Sequence, residues 1–244
     1  METELLRARI SDTADICEKT QRPKFFGFLS PEQAVLANQM LSKRNINFSF
    51  YGGYDDAQRV ILGCFPDWAD DISFPITAIS FSFRKADVLK HKDFLGSLMA
   101  LGIKREAVGD ILVESGRAIA FLSDDIADYV LNEVNKIGRT GVELCVGYKE
   151  PLPNAAQLKE FSETVSSLRL DCVVAALAGV SRNEAEQKIK DGFVSVNSVT
   201  VQKLTKTIGD GDIVTVRSSG KFIVSSTTER SKKDRVILKY KKYI

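Results

Sequence analysis

The chain has 244 residues, of which 44% are apolar and 27% charged, as expected of a globular protein with two or three small domains. Its net charge of +2 is unevenly spread, because residues 165–244 carry 15 Lys and Arg against 8 Asp and Glu and therefore predict a polyanionic partner. The sequence lacks an apolar run near ~18 residues, a signal-peptide pattern and paired cysteines, which argues against a membrane or disulfide-rich secreted protein and predicts a cytoplasmic one.

The first 72 residues predict an ααββ unit with two helices followed by a hairpin. Its elements are expected at residues 2–19, 30–43, 47–51 and 59–65. Ser30 and Pro31 suit the N-cap and first position of the second helix. The aromatic segment at 22–28 is predicted as a loop whose rings either belong to the core or stack on RNA bases.

Residues 73–150 predict a ferredoxin-like βαββαβ domain. The expected elements, in order, are residues 75–83, 86–101, 109–114, 117–122, 123–137 and 142–147. RNA-recognition domains share this arrangement, but they read bases through aromatic residues on their central strands. Here the central strands offer few such rings, and Phe121 is predicted to be part of the core.

Lys104 and Arg105 follow the first helix of this domain and have two interpretations. They are either cations favoured by the carbonyls at a helix C-terminus, or a basic tip that contacts RNA phosphate or a ribosomal surface. Residues 151–164 are predicted to be a linker to the C-terminal domain, residues 165–244.

The C-terminal domain begins with two short helices. The first is predicted at 170–178, and the second starts after the N-cap Ser181 with Glu184 placed to complete a capping box. A hairpin is expected across Asn197-Ser198, although a serine in this turn disfavours type I′ geometry. A last strand is expected at 213–217, and the basic tail after Arg230 forms either an added strand or an arm that orders on RNA.

Basic and polar residues surround the small core of this domain and form the candidate RNA-binding site. They are Arg169, Ser181, Arg182, Lys188, Lys190, Asn197, Lys203, Lys206, Arg217 and Lys221. The helix start at Ser181, with Arg182 beside it, is suited to an anion such as phosphate. Alanine at Arg169 and Arg182 is expected to weaken RNA binding with little change in melting temperature.

Residues 165–222 resemble the S4 RNA-binding domain, a module of a ribosomal small-subunit protein, tyrosyl-tRNA synthetases, pseudouridine synthases and a heat-shock RNA-binding protein. The matching pieces are Arg169-Leu170-Asp171, Ser181-Arg182, Ala185, Ile189, Gly192, Val194 to Asn197, Lys203, Gly211-Asp212 and Val216-Arg217. Ser198 departs from the pattern, in which glycine is common. The resemblance implies a protein that binds structured RNA.

The sequence DFLGSLMALGIKREAVGD at 93–110, followed by the S4-like domain, resembles the YlmH-like proteins of bacteria and their plastid relatives. This resemblance covers nearly the whole chain. It implies a ribosome-associated RNA-binding protein with rRNA and peptidyl-tRNA as partners, acting in quality control of stalled large subunits, and a genetic link to cell division.

Enzymatic function is not expected, because the signatures of enzymes that carry S4 domains are missing. Gly138-Arg139-Thr140 lacks the Leu-Asp that pseudouridine synthases need, and the HIGH and KMSKS motifs of synthetases are absent. The single histidine, His91, has no neighbours at metal-ligand spacing, so neither metal nor cofactor is predicted. A monomer is expected. The alternatives are a protein-interaction adaptor linked to cell division and an RNA-modifying enzyme of unrecognised type.

Overall fold

The computed structural model describes residues 2–55, 57–69, 72–153, 158–231 and 235–243 of the chain. The chain forms two compact units, Met1–Ala155 and Ala156–Ile244. The predicted ααββ and ferredoxin-like parts therefore belong to one unit, whereas the sequence suggested two separate domains.

The first part of the first unit contains two helices and three strands. They are α1 (Glu2–Thr20), β1 (Lys24–Leu29), α2 (Pro31–Leu41), β2 (Asn47–Tyr51) and β3 (Val60–Phe65). The strands form an antiparallel sheet in the order β1-β3-β2. Both helices pack on this sheet around a core that includes Ile10, Ala37 and Leu62.

Strand β1 was predicted as a loop, and the structure adds it to the expected ααββ unit. Its Phe26 and Phe28 are buried, so the core interpretation of this aromatic segment is confirmed. Gly27 between them lies at a bulge, where a Cβ atom would come within 2.6 Å of the Glu106 carbonyl oxygen. A glycine inside a strand marks such a close backbone approach, but in the sequence it looks like a turn residue.

Local signals placed the start of α2 correctly. The Ser30 hydroxyl accepts a hydrogen bond from the Gln33 amide at 3.3 Å, and the Ser30 amide donates to the Gln33 side chain at 2.8 Å. Pro31 occupies the first helical position. This reciprocal pair satisfies two of the amides that a helix N-terminus leaves without intrahelical partners.

The second part of the first unit has the predicted ferredoxin-like topology. Its elements are β4 (Ile76–Ser82), α3 (His91–Ala100), a 3-10 turn (Arg105–Ala107), β5 (Val108–Glu114), β6 (Arg117–Ser123), α4 (Asp124–Glu133), β7 (Lys136–Ile137), β8 (Thr140–Gly141) and β9 (Glu143–Val146). The main sheet is antiparallel in the order β5-β6-β4-β9, and α3 and α4 cover one face.

The other face of this sheet packs against the sheet of the first part. Phe28 and Ile61 from the first part share a buried cluster with Leu112, Ile119 and Phe121. Because Phe121 is only 1% exposed, it cannot stack on a base, and its prediction as a core residue is confirmed.

The second unit is a two-layer arrangement of two helices on one sheet. Its elements are β10 (Leu158–Val165), α5 (Leu170–Ala178), α6 (Arg182–Lys190), β11 (Val194–Val196), β12 (Val199–Thr200), β13 (Ile213–Val216), β14 (Gly220–Ser226) and β15 (Val236–Tyr243). The antiparallel sheet has the order β10-β15-β14-β13-β11-β12. Apolar side chains of α5 and α6 meet alternate residues of the strands in one core.

The linker and the tail become neighbouring strands in this sheet. Residues 158–164, expected in a linker, form β10 together with Val165 and pair with β15 from Leu158↔Tyr243 to Val165↔Val236. Of the two interpretations of the tail, the added strand is correct for 236–243, since Val236, Leu238 and Tyr240 alternate into the core. The tail residues Lys232 and Lys233 lie outside the described residues.

The hairpin between β11 and β12 turns at Asn197 and Ser198, which have φ values of 50° and 63°. Positive φ at both central residues is the condition for a type I′ turn, which Ser198 was expected to disfavour. The Asn197 side chain supports the turn by donating to Asp212 at 2.7 Å and accepting from the Ile213 amide at 2.8 Å. Asn197 therefore stabilises this turn, and its contact with RNA stays a prediction.

Candidate nucleic-acid interface

The centre of the candidate site is a buried carboxylate that holds two arginines. Asp171 lies in the first turn of α5, and its side chain is fully buried. It accepts two hydrogen bonds from Arg169, both at 3.1 Å, and two from Arg182, at 2.9 and 2.5 Å. We call these three residues the Asp171 clamp.

The charges in the Asp171 clamp stabilise one another. Burial by itself would raise the pKa of Asp171, but the hydrogen bonds and charges of Arg169 and Arg182 outweigh it and lower that pKa. The hydrogen bond to Asp171 in turn raises the pKa of Arg182. The clamp thus carries two positive charges and one negative charge, and the side chains of Arg169 and Arg182 remain 42% and 52% exposed.

This geometry fixes two planar donors side by side at the protein surface. A guanidinium group binds a phosphate through two parallel N–H···O bonds, and restraining it beforehand reduces the entropy lost on binding. The sequence had singled out Arg169 and Arg182 but gave Asp171 no role. A lone carboxylate in the otherwise apolar segment LDCVVAALA was the available signal.

Residues of α6 extend this basic surface from the Asp171 clamp. Ser181 caps the helix by accepting from the Glu184 amide at 3.2 Å. The Glu184 carboxylate lies 3.7 Å from Lys188, so the expected capping box is present only in its Ser181 half. Lys188 is 21% exposed, whereas Lys190 at the end of the helix is exposed.

A loop brings two further lysines to the start of α5. The carbonyls of Leu204 and Lys206 accept hydrogen bonds from the amides of Asp171 and Leu170, at 3.2 and 2.8 Å. Lys203 and Lys206 belong to this loop. We define the helix face as the surface of the two helices and this loop, formed by Arg169, Ser181, Arg182, Lys188, Lys190, Lys203 and Lys206.

Two predicted site residues lie on the opposite side of the sheet. Val216 and Phe222 point into the core, so the alternation of a strand directs the neighbouring Arg217 and Lys221 away from the helices. Arg217 lies over the ring of Phe193 at 5.4 Å, and Lys221 lies over Tyr243 at 4.9 Å. The single basic rim predicted from the sequence is therefore two surfaces.

Lys104 and Arg105 lie at the 3-10 turn in the first unit. Lys104 is exposed, and the half-buried Arg105 donates to the carbonyls of Val108 and, at 3.4 Å, Gly109. Arg59, which the sequence had not singled out, contacts the same turn by donating to the Arg105 carbonyl at 3.2 Å. No periodic or spacing signal connects Arg59 to residue 105, because the fold alone brings them together.

Comparisons with known proteins match both units. The model of the YlmH RNA-binding domain matches residues 69–148, and that of the S4 domain matches residues 168–214. A Bacillus subtilis (strain 168) protein named ribosome-associated protein quality control protein P2 is 29% identical over 224 residues, 90% of this chain and 87% of that protein.

Among solved structures, the cell division protein ylmH from Streptococcus pneumoniae matches with a TM-score of 0.55 and 20% identity. The match covers 61% of this chain and 92% of that one, and at this identity it shows a shared fold. None of the helices in the described ranges combines the length and apolar character that crossing a membrane requires.

Proposed function

We propose that this chain is a non-enzymatic protein that binds structured RNA on the ribosome. The proposal is supported by the matches to the YlmH RNA-binding domain and, after it, the S4 domain, which make the chain a YlmH-like protein. The observation that carries this proposal is the Asp171 clamp, which presents two guanidinium groups on the helix face. The Bacillus relative is named for ribosome-associated quality control, and we extend that process to this chain.

The binding mechanism combines phosphate neutralisation with recognition of shape. The side chains of Arg169 and Arg182 are partly exposed beside Asp171, and the exposed Lys190 adds a point charge to the helix face. Folded RNA is recognised mainly through its backbone geometry, which suits a rigid surface whose cations are held in place. Each phosphate contact releases counterions, so binding weakens steeply as salt increases.

The proposed partners are rRNA of the large subunit and the peptidyl-tRNA that a stalled large subunit retains. The protein would act as a monomer in the cytoplasm. Its S4 domain supplies the contact with RNA, and the second unit extends that domain with β14 and β15 after residue 214 and with β10 before residue 168.

Sedimentation with purified large ribosomal subunits tests this function. The variant Arg182→Ala/Lys190→Ala removes two cations of the helix face but leaves Asp171 its hydrogen bonds from Arg169. We expect binding at least about 10-fold weaker near 0.15 M salt. The slope of log affinity against log salt concentration should also be shallower by about two, because two phosphate contacts are lost.

The matched control is Lys19→Ala/Lys43→Ala, which removes the same charge from two exposed lysines in the first unit. It should bind like the wild type. If the helix-face variant still sediments with the subunit as the wild type does, the RNA-binding function assigned to this face is wrong.

A further inference from the structure

A cleft in the first unit gathers positive charge from both of its parts. It has a volume of about 910 Å³, and four cationic side chains line it: Arg9, Arg59, Lys104 and Arg105. Two carboxylates also line it. Glu106 pairs with Arg9 at 3.0 Å, and Glu32 accepts a hydrogen bond from Ser30 at 3.0 Å. The cations therefore exceed the carboxylates by two.

Arg59 is held in this cleft by carbonyl oxygens instead of a carboxylate. Its Nε donates to the Val108 carbonyl at 3.0 Å, and its Nη2 donates to those of Phe28 at 2.8 Å and Arg105 at 3.2 Å. Carbonyls fix the orientation of the group without cancelling its charge. Within the described residues, Nη1 of Arg59 donates no hydrogen bond, although the side chain lines the cleft.

Arg105 brings a second guanidinium group to the same place. Burial, followed by the charge of Arg105, lowers the pKa of Arg59 to about 10, and burial lowers the pKa of Arg105. The nearby Asp110 offsets this in part, but its oxygens accept from Tyr54 and from the backbone amides of Gln58 and Arg59. Both arginines remain charged at neutral pH.

Two like charges that are half-buried together are costly unless an opposite charge joins them. We propose that this cleft binds a phosphate group of an RNA backbone, held by the guanidinium groups of Arg59 and Arg105 and by the ammonium group of Lys104. The ligand class rests on the RNA-binding function proposed above. The cleft is a second contact, built from residues that the helix face does not include.

The arrangement of the cations favours a backbone phosphate over a small enclosed ligand. Arg9 and Lys104 are exposed, so positive charge continues from the half-buried arginines to the protein surface. Lys104 and Arg105 belong to the segment that matches the YlmH RNA-binding domain, whereas Arg9 and Arg59 precede it. The site thus requires the first part of the unit as well as the matched domain.

The first experiment measures binding of full-length Lys104→Ala to purified large ribosomal subunits. Lys104 is exposed, and its ammonium group makes no hydrogen bond or ion pair within the described residues, so its removal should leave the fold intact. We expect binding about 3- to 10-fold weaker near 0.15 M salt and a slope of log affinity against log salt concentration that is shallower by about one. The matched control is Lys43→Ala, which removes an exposed lysine just after the C-terminal end of α2 and should bind like the wild type.

The second experiment observes the Nε–H signals of Arg59 and Arg105 by NMR during titration with inorganic phosphate, with chloride as the reference. We expect phosphate to shift both signals and a subsequently added RNA hairpin to displace the phosphate. If the RNA hairpin leaves the phosphate-induced shifts of these signals unchanged, the cleft binds small anions only and the RNA assignment is wrong.

The helix-face variant separates this inference from the proposed function. If Arg182→Ala/Lys190→Ala binds weakly while Lys104→Ala binds like the wild type, the cleft is not an RNA contact and the proposed function stands. If both variants bind like the wild type, the proposed function fails and the cleft assignment fails with it. If both variants bind the subunit more weakly and the Lys43→Ala control binds like the wild type, the results support both the proposed function and the cleft as an RNA contact.

Discussion

Each unit of this protein holds a pair of arginines, and the two pairs are anchored differently. In the second unit, Arg169 and Arg182 share the buried carboxylate of Asp171. In the first unit, Arg59 and Arg105 donate to backbone carbonyls and have no carboxylate partner within the described residues. Asp171 cancels one of the two charges of the first pair, whereas the carbonyls cancel neither charge of the second pair, which only the nearby Asp110 offsets in part.

The comparison shows that the group accepting hydrogen bonds from a guanidinium determines how much of its positive charge remains for a ligand. The carboxylate raises the pKa of Arg182, while burial and repulsion lower the pKa of Arg59 to about 10. Two arginines that share a carboxylate are stable without a ligand, and their orientation is already fixed for binding phosphate. A pair on carbonyls retains an electrostatic cost that an anion relieves.

The largest effect should follow from removing both arginines of the Asp171 clamp. Arg169→Ala/Arg182→Ala leaves a fully buried carboxylate without its hydrogen bonds, so we expect the second unit to lose about 3–5 kcal/mol of unfolding free energy. This replaces the expectation from sequence that its melting temperature would hardly change. Hydrogen exchange of the α5 and α6 amides measures this unit alone.

Adding Asp171→Ala to that variant should recover much of the loss, because it removes the unpaired charge. Lys190→Ala/Lys203→Ala, two exposed lysines of the same unit, is the control and should change the free energy by less than about 0.5 kcal/mol. A triple variant no more stable than the double variant would show that the buried carboxylate is not the cause.

A smaller effect is expected at the carbonyl-anchored pair. Arg59→Lys keeps the charge but replaces a planar fork with a single ammonium group, which cannot reach three carbonyls in different directions. The first unit should lose about 1.5–3 kcal/mol. Urea unfolding of this variant and of Arg84→Lys, whose side chain is 84% exposed, measures the difference. Equal stabilities would contradict the structural role of Arg59.

The pH dependence of the Asp171 clamp should change sign when its arginines are removed. In the wild type, the lowered pKa of Asp171 means that its stabilisation is present above the unfolded-state pKa of ~3.9 and is lost as pH falls through the folded-state value. In Arg169→Ala/Arg182→Ala, burial alone raises that pKa, so the charged carboxylate destabilises the fold as pH rises.

The difference in stability between these two proteins should therefore increase from about pH 4 to neutrality. Hydrogen exchange, corrected for its intrinsic pH dependence, measures it across this range. A difference that stays constant with pH would mean that Asp171 is not ionised in the folded clamp.

The smallest effect is expected for an arginine that belongs to neither pair. Arg217 lies over the ring of Phe193 on the sheet face turned away from the helices. Arg217→Ala should change stability by less than about 0.5 kcal/mol and RNA affinity by less than about 2-fold. Lys190→Ala, on the helix face, provides the comparison in the same filter-binding measurement. Equal weakening by both variants would extend the RNA site to both faces of the sheet.

The sequence by itself determined the elements whose signals are local. Periodicity and turn residues that lie within a few positions of one another predicted three features. These are the capping residues of α2, the two helices after Leu168 and the order of the ferredoxin-like elements. The matches to the YlmH RNA-binding and S4 domains agree with the resemblance that these residues carried.

Only the tertiary structure decided which distant residues meet. Strand β10 has few apolar residues and gains its place by pairing with β15, which is some 70 positions away in the chain. The same holds for the clamp of Asp171 on Arg182 and for Arg59 beside Arg105. The physical reason is that secondary structure depends on short-range backbone preferences, whereas strand pairing, burial and charge clustering depend on long-range packing that a single sequence does not display.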